Sequence, residues 1–465
     1  MNKIKEDMFQ KIHLEILDVI KPSKNERKYI DETLTKIIGE LSVLLQKNDI
    51  KGHIEIGGSY ARDTWLAGKH DLDVFIILPR ESKLEPNALL QIIENNTDYH
   101  WVKKHADHPY LATKIEHLEI EIIPCYKYKT NKPMRSAVDR SPEHNDFVQS
   151  HLPVGAEDEV RLLKQFMRCI EVYGAEIKIQ GFSGYLAELL IIYYDNSFLE
   201  VIRNAQSLPG KVISLRKEKP NNLKKHQNDV FIFIDPTDPN RNVAAAVSNQ
   251  KLYEFIAAAK NYLHNPKKSF FLKSKKEVKK SHFKEIQKNE LILTVIYHQR
   301  PKVVDDVLWG QLRRFESSLF QTLDEFQLEP VIIDSFVTPK KISTIILTRT
   351  AQTPSTIWVK GPPVYLCHQQ DFLKNYLNNK EVLYGPVIRN DRWHVLLKKN
   401  PISIIPFLKD KIIEKQIALP SHLQLSPKNL LILKKKAYLE KIRDDPEQIR
   451  YLLKLLQGTP SYLKN

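Results

Sequence analysis

Hydrophobic positions fall at helical spacing through the first fifty residues and at strand spacing immediately after. Ile4, Met8, Ile12, Ile16 and Ile20 predict one helix, which Pro22-Ser23 breaks. Ile30, Leu34, Ile37, Ile38, Leu41 and Leu45 share one side of a second, over about 26–47. Residues 53–56 read as a strand, and Gly57-Gly58-Ser59 as a turn into a helix-compatible stretch. A second apolar run, 74–78, carries Asp71 and Asp73 on its leading edge. A helix over 85–95 follows, and LEIEIIPCY at 118–126 alternates as a strand closed by Pro124.

Farther on, 157–173 predicts a helix ended by Gly174, with Val160, Leu163, Met167 and Ile170 as its buried stripe. Arg161, Lys164 and Arg168 lie on another face as a basic rail, although a charged helix face is by default solvated. Ser183 can cap the next helix, whose YLAELLIIYY is apolar nearly all round and should be buried. A basic connector (209–228), a strand (230–234), the loop DPTDPNRNVAA and a helix (243–262) come next. Then follow a strand (291–298), a long amphipathic helix (303–327) and strands 331–337 and 342–347. Thr353-Pro354 reads as a hinge before a small α/β module, and the end from Ile402 is mostly helical. The pattern predicts a multidomain α+β protein divided at 1–150, 151–265, 266–352 and 353–465, the third part completed by C-terminal helices.

Composition sharpens this. At 465 residues, 42% hydrophobic and 27% charged, the chain can bury cores for three or four domains. Lys and Arg outnumber Asp and Glu by 71 to 56, a formal +15, which favours a polyanionic partner such as nucleic acid. Eight lysines against the single acid Glu277 between 267 and 284 suggest an RNA-backbone footprint, with a solvated basic helix as the plain alternative. Cys125, Cys169 and Cys367 are too scattered for a disulfide frame or zinc site, so a reducing, cytoplasmic setting is expected. The charged N-terminus is no signal peptide, and no apolar run approaches the ~20 residues that span a bilayer.

Asp71 and Asp73, two apart on a strand, project from the same face about 7 Å apart. Carboxylates that close repel unless a cation sits between them, and few oxygen ligands with room for phosphate describe Mg²⁺. Gly57, Gly58 and Ser59 let backbone amides approach a polyphosphate, and Arg62 stands one helical turn beyond Ser59. Glu119 and Glu121 share a face of the 118–126 strand, and Glu121, nearer the apolar run, is the better candidate for a third ligand. Three carboxylates on two strands suit two-metal phosphoryl transfer. Arg135, Asp139, Arg140 and His144 could line a phosphate-facing edge, or a solvated loop.

Gly58-Ser59 followed by Asp71-x-Asp73 resembles the polymerase-β-type nucleotidyltransferase superfamily. GGSYARDTWLAGKHDLDVF, EHLEIEIIPCY, RSAVDRSPEH, EVRLLKQF, VYGAEIKIQGFSGYLAELL and DPTDPNRNVAA look, in that order, like segments of archaeal-type (class I) CCA-adding enzymes. The resemblance is strong over about 1–315 and weak beyond. It implies a polymerase-β-like head, a helical neck completing the nucleotide pocket, and an α/β body and small α/β tail holding the tRNA acceptor arm. It implies template-independent addition of C, C and A from CTP and ATP to the tRNA 3′ end, with two Mg²⁺ ions. Metal carboxylates map onto Asp71, Asp73 and Glu121, nucleotide contacts onto Ser59, Arg62, His144, Lys164 and Tyr173, and base selection onto Arg241. Lys164 and Tyr173 are expected on the helix after the head. Asp71 stands where the pattern carries Glu, and Glu121 where it carries Asp; each swap keeps the charge and moves it by one methylene. A poly(A) polymerase and an RNA-binding protein with an inactive head are the competing readings. A homodimer is compatible with the same resemblance.

Overall fold

A computed structural model describes residues 3–68, 71–105, 108–128, 134–216, 223–272, 280–419, 421–423 and 430–464. They divide into two units, residues 1–274 with 460–465, and residues 275–459.

The first unit holds a five-stranded sheet of β1 (His53–Ile56), β2 (Asp71–Leu78), β3 (Val102–His105), β4 (Pro109–Ile115) and β5 (Leu118–Tyr126) in the order β1-β2-β5-β4-β3. Its central pair, β2 and β5, is parallel and the other pairs are antiparallel. Alternation assigns the two faces. Leu72, Val74, Ile76 and Leu78, with Ile120 and Ile122, pack against Ile30, Leu34, Ile37 and Leu41 of helix Lys24–Lys47 and Leu89, Leu90 and Ile93 of helix Pro86–Asn95. The opposite face begins with acids and ends in a small apolar cluster of Phe75, Ile77 and Cys125. Ser23 and Glu26 form a reciprocal capping box that starts the Lys24–Lys47 helix.

Pro124 does not close β5, which runs to Tyr126. β4 stops pairing at Ile122, and on that side the Pro124 carbonyl takes His108 Nε2 at 2.6 Å, so no ladder partner is deprived by the missing N–H. The short strands β3 and β4 carry no clear alternation and went unread in the sequence.

Helices form the second core of this unit: Lys3–Ile20, Ser141–His151, Glu157–Cys169, Gly184–Tyr193, Phe198–Asn204 and Asn249–His264. A two-stranded parallel ribbon, β6 (Val212–Ile213) with β7 (Ile232–Phe233), joins them. Phe9, Phe166, Phe198, Tyr262, Phe270 and Phe271 pack ring against ring at its centre, and Tyr462 stacks on Phe270. The first helix therefore buries its apolar face here, away from the sheet.

Its stripe is Phe9, Ile12, Ile16 and Ile20, whereas Met8 is exposed. Residues four apart drift about 40° per step on a helix of 3.6 residues per turn, so a strict four-residue spacing leaves the buried face. The helix expected to reach Tyr173 ends at Cys169, and Glu171 takes a positive φ of 65°. Tyr173 instead forms a β-bridge with Phe182. The helix expected from Val243 starts at Asn249, because Ser248 caps it and accepts from the Lys251 amide at 3.3 Å.

The second unit contains the antiparallel sheet β14-β8-β10-β9, built from β8 (Ile292–Gln299), β9 (Pro330–Val337), β10 (Lys341–Thr348) and β14 (Leu431–Lys434). Helix Asp305–Glu325 covers it, as do helices Ile404–Ile413, Lys435–Lys441 and Pro446–Gln457. A separate sheet, β11 (Thr356–Pro363), β13 (Arg392–Lys398) and β12 (Val382–Arg389), carries helix Gln369–Tyr376. Of the lysine-rich stretch at 267–284, residues 273–279, with four of its eight lysines, lie outside the described residues. No described helix is long and apolar enough to cross a membrane.

Candidate active site

The acidic face of the sheet is set by one register. β2 and β5 run in parallel with Asp71 opposite Glu119 and Asp73 opposite Glu121, so period-two alternation places four carboxyl groups on one face. Burial first, then the Glu121 charge, pushes the half-buried Asp73 carboxyl up to about 6, with Asp71 adding and Arg62 opposing. Glu121 is also pushed up, by burial and then by Glu119 and Asp71 against the opposing Lys104. Lys104 reaches across from β3 and donates to Glu119 at 2.6 Å and Glu121 at 3.2 Å. Among the described residues no three His, Cys, Asp or Glu side chains close into a metal cage; Glu121 leans on Lys104. Lys104 was not singled out in the sequence.

Beside the acids runs the glycine turn. The Gly57 amide donates to the Asp73 carbonyl at 2.8 Å, extending the β1–β2 pairing. Gly58 has φ +65°, and a Cβ there would overlap the Asp73 carboxylate. Both demands explain glycine at this position. Gly58→Ala should cost about 1–3 kcal/mol for the strained φ and displace Asp73, so activity should fall more steeply than melting temperature. A fully active Gly58→Ala protein would refute that reading of the turn.

Ser59, Thr64, Asp71, Lys164, Arg168 and Tyr173 line a cavity of about 470 Å³. Gly184 lets Tyr173 sit close, since a Cβ on it would stand 2.9 Å from the Tyr173 hydroxyl. Arg62 and Lys164 meet at a residue the sequence reading passed over. Glu188, with no solvent exposure, accepts from Arg62 Nε at 2.9 Å and Lys164 Nζ at 2.8 Å, and also from the Thr64 hydroxyl. Arg62 also donates to Asn145. Burial alone would raise the Glu188 carboxyl, but Arg62 and Lys164 hold it down at about 2. Burial lowers Lys164 below its usual value. Two cations share one carboxylate, so the cluster keeps an excess positive charge at the edge of the cavity. The visible signal was one acid inside an otherwise apolar helix.

The basic rail is not a surface feature. Arg161 is 1% exposed and Lys164 2%. Arg161 donates to the Trp65 carbonyl at 3.0 Å, to Asp158 at 2.6 Å and to Asp63, and so braces the 63–65 turn from beneath. Only Arg168 of the three remains partly exposed, at the cavity wall.

His144 and Arg241 form a second cluster. His144 stacks on Tyr185 with ring centroids 3.9 Å apart, and both His144 and Arg241 bond the buried Asp235, at 3.0 and 2.9 Å. Arg140 pairs with Asp238 at 3.1 Å. Arg135 and Asp139, considered for the same edge, do other work. Arg135 stacks over Tyr126 at 3.6 Å and donates to the Ser82 carbonyl, while the buried Asp139 accepts from the amides of Tyr126, Arg135 and Ser136.

Comparisons with known proteins follow this layout. A family model described as a nucleotidyltransferase domain matches residues 34–144. A second, "tRNA nucleotidyltransferase, second domain", matches 158–272, and a third, "CCA-adding enzyme, C-terminal domain", matches 289–429. The CCA-adding enzyme of Methanosarcina mazei is 34% identical over 395 residues, 82% of this chain and 85% of the relative. That of Pyrobaculum aerophilum is 32% identical over 404 residues, 86% and 92% of the two chains. That of Saccharolobus solfataricus is 35% identical over 366 residues, 78% and 84%. Among solved structures, a cytoplasmic RNA terminal U-transferase aligns with a TM-score of 0.44 and 15% identity, covering 57% of this chain and 99% of the other. With identity at this level sustained along most of both chains, and domain matches in the order of the acidic sheet, the helical core and the second unit, the chain belongs to the CCA-adding enzymes and is a tRNA nucleotidyltransferase.

Proposed function

We propose that the chain adds C, C and A from CTP and ATP to the tRNA 3′ end without a nucleic-acid template. The observation that carries this reading is the shared face of Asp71, Asp73 and Glu121, beside the Gly58 turn and a cavity edged by Lys164. The three acids fit divalent cations: they are hard oxygen donors in adjacent register, and a cation among them offsets the burial and the mutual repulsion that raise Asp73 and Glu121. Asp71, Asp73 and Glu121 would hold two Mg²⁺ ions, which would supply charge neutralisation at the reacting phosphate and a lower pKa for the attacking hydroxyl. Register and burial favour Glu121 over Glu119 as the third ligand, since Glu121 stands opposite Asp73 and is 23% exposed against 45%.

In this reading the tRNA 3′-hydroxyl attacks the α-phosphate in line, a new P–O bond forms, and pyrophosphate leaves. Ser59, Arg62, Lys164 and Tyr173 hold the triphosphate, the excess charge around Glu188 being the electrostatic source of that grip. His144 and Arg241 face the nucleoside. The head (1–150) and neck (151–265) frame the nucleotide, and the body (266–352) and tail (353–465) hold the acceptor arm of tRNA, with the cytoplasm as the setting.

The test is incorporation on tRNA lacking its 3′ end, with each nucleoside triphosphate in turn. Two C additions and then one A, all dependent on Mg²⁺, are expected. Long A-tails would turn the assignment to a poly(A) polymerase, and no incorporation to an RNA-binding protein with an inactive head.

A further inference from the structure

The turn after β7 opens with Asp235, whose side chain is sealed from solvent. Five donors converge on its two oxygens. Oδ1 accepts from the Thr237 amide at 2.9 Å, the Thr237 hydroxyl at 2.8 Å and the Tyr185 hydroxyl at 3.4 Å. Oδ2 accepts from His144 Nε2 at 3.0 Å and Arg241 Nη1 at 2.9 Å. Burial pushes this carboxyl up, but His144, the Thr237 amide and Arg241 more than offset it and hold it well below the usual range.

The two oxygens do different work. Oδ1 ties the carboxylate to its own turn and to helix Gly184–Tyr193, which fixes where Oδ2 lies. Oδ2 then orients one group from helix Ser141–His151 and one from the turn. Burial holds His144 below its ordinary value, so the imidazole is neutral and must carry its proton on Nε2 to bond a carboxylate. Stacking on Tyr185 sets the plane of the ring. Among the described residues the Arg241 guanidinium bonds Asp235 alone and stays one-third exposed, so one N–H is committed and the rest of the fork is presented outward. The next acid, Asp238, is occupied by Arg140 and does not compete.

We propose that Asp235 is the positioning residue for base selection, locking Arg241 in one orientation and His144 in one tautomer. The nucleobase then meets in Arg241 a donor that cannot turn into an acceptor, and in His144, with Nε2 spent on Asp235, an Nδ1 that can only accept. Cytosine N3 and adenine N1 are bare ring acceptors, whereas the matching nitrogens of uracil and guanine carry hydrogens. A rigid donor accepts the first pair and rejects the second, because a mismatched edge leaves polar groups unpaired. The inference rests on the reading of Arg241 and His144 as nucleotide contacts and adds what holds them.

The experiment measures kcat/KM for CTP, ATP, UTP and GTP on truncated tRNA with the full chain, for wild type, Asp235→Asn and Arg241→Gln. Asp235→Asn keeps the shape and removes the charge that orients Arg241. It should lower the CTP-to-UTP preference about tenfold or more and leave the KM for tRNA unchanged. Equal losses for all four nucleotides, with the preference intact, would mean a structural role and overturn the proposal. If Arg241→Gln leaves the preference unchanged, the base-contact reading of Arg241 fails; if it alone alters the preference, only the role of Asp235 fails. Should Asp235→Asn not fold, Asp235→Glu, which keeps the charge and shifts it by one methylene, is judged by the same ratio.

Discussion

Asp73→Asn is expected to abolish nucleotide addition while leaving the protein as stable as the wild type, or more so. With Asp73 in its proposed role as a metal carboxylate, its loss forfeits several kcal/mol of transition-state charge stabilisation, roughly 10³-fold or more at ~1.4 kcal/mol per tenfold. The stability half follows from Asp73 being raised to about 6 by burial and by Glu121. A carboxyl raised in the folded state binds its proton more tightly folded than unfolded. Without divalent cations, stability therefore falls as pH climbs from the ordinary Asp range through about 6. Asparagine has no charge to bury and removes that loss. Mg²⁺ should raise the melting temperature of the wild type more at pH 7.5 than at pH 5, and should do little for Asp73→Asn. Single-turnover incorporation, tRNA binding and thermal melts check the three parts. Normal turnover in this variant would remove Asp73 from the chemistry.

The largest stability effect should come from Glu188→Ala. Arg62 and Lys164 both pair with this one fully buried carboxylate, and deleting it strands two buried cations. Breaking a buried pair in this way costs about 3–5 kcal/mol. Glu188→Gln keeps hydrogen-bonding capacity and should fall between. The sign of the pH dependence is opposite to that of Asp73. Glu188 is depressed to about 2, so its stabilisation is complete above the ordinary Glu range and disappears as pH falls toward 2. The wild type should lose this increment on acidification, and Glu188→Gln should have none to lose. Denaturant melts at pH 7 and pH 3 measure both. A double replacement, Glu188→Met with Lys164→Met, should recover part of the stability without activity, since an apolar pair replaces the ionic one. Equal melting curves for Glu188→Ala and wild type would contradict the buried triad.

The sequence made the acids legible because strand alternation is a local rule: Asp71, Asp73 and Glu121 could be placed on faces without knowing which strands pair. The parallel register that sets Asp73 beside Glu121 is a long-range fact, and no periodicity contains it. The same limit explains Glu188 and Asp235. Arg62 and Glu188 lie 126 positions apart, and His144 and Asp235 lie 91 apart. The residues assigned to the nucleotide come from motif order, and motif order says nothing of what anchors them. Arg161 and Lys164 were misplaced for a related reason: a basic helix face is usually wet, and only a partner elsewhere in the chain can make it dry. Tyr173 was carried onto the helix because no glycine or proline interrupts 157–173 before Gly174, whereas the chain already leaves the helix at Ile170.

Because the first helix packs with the later helices while the sheet lies between them in sequence, chain order and spatial order are interleaved. His13 Nε2 meets the Tyr262 hydroxyl at 3.0 Å across 249 positions. A chain leaving the ribosome must hold Phe9, Ile12 and Ile16 in reserve until the segment bearing Tyr262 and Phe271 has been made. Domains generally fold as units in the order of their synthesis, so the sheet can assemble while its own amino-terminal neighbour still waits. The helical core closes after its last segment is made, and the greasy face of that waiting helix is where a chaperone would find its purchase.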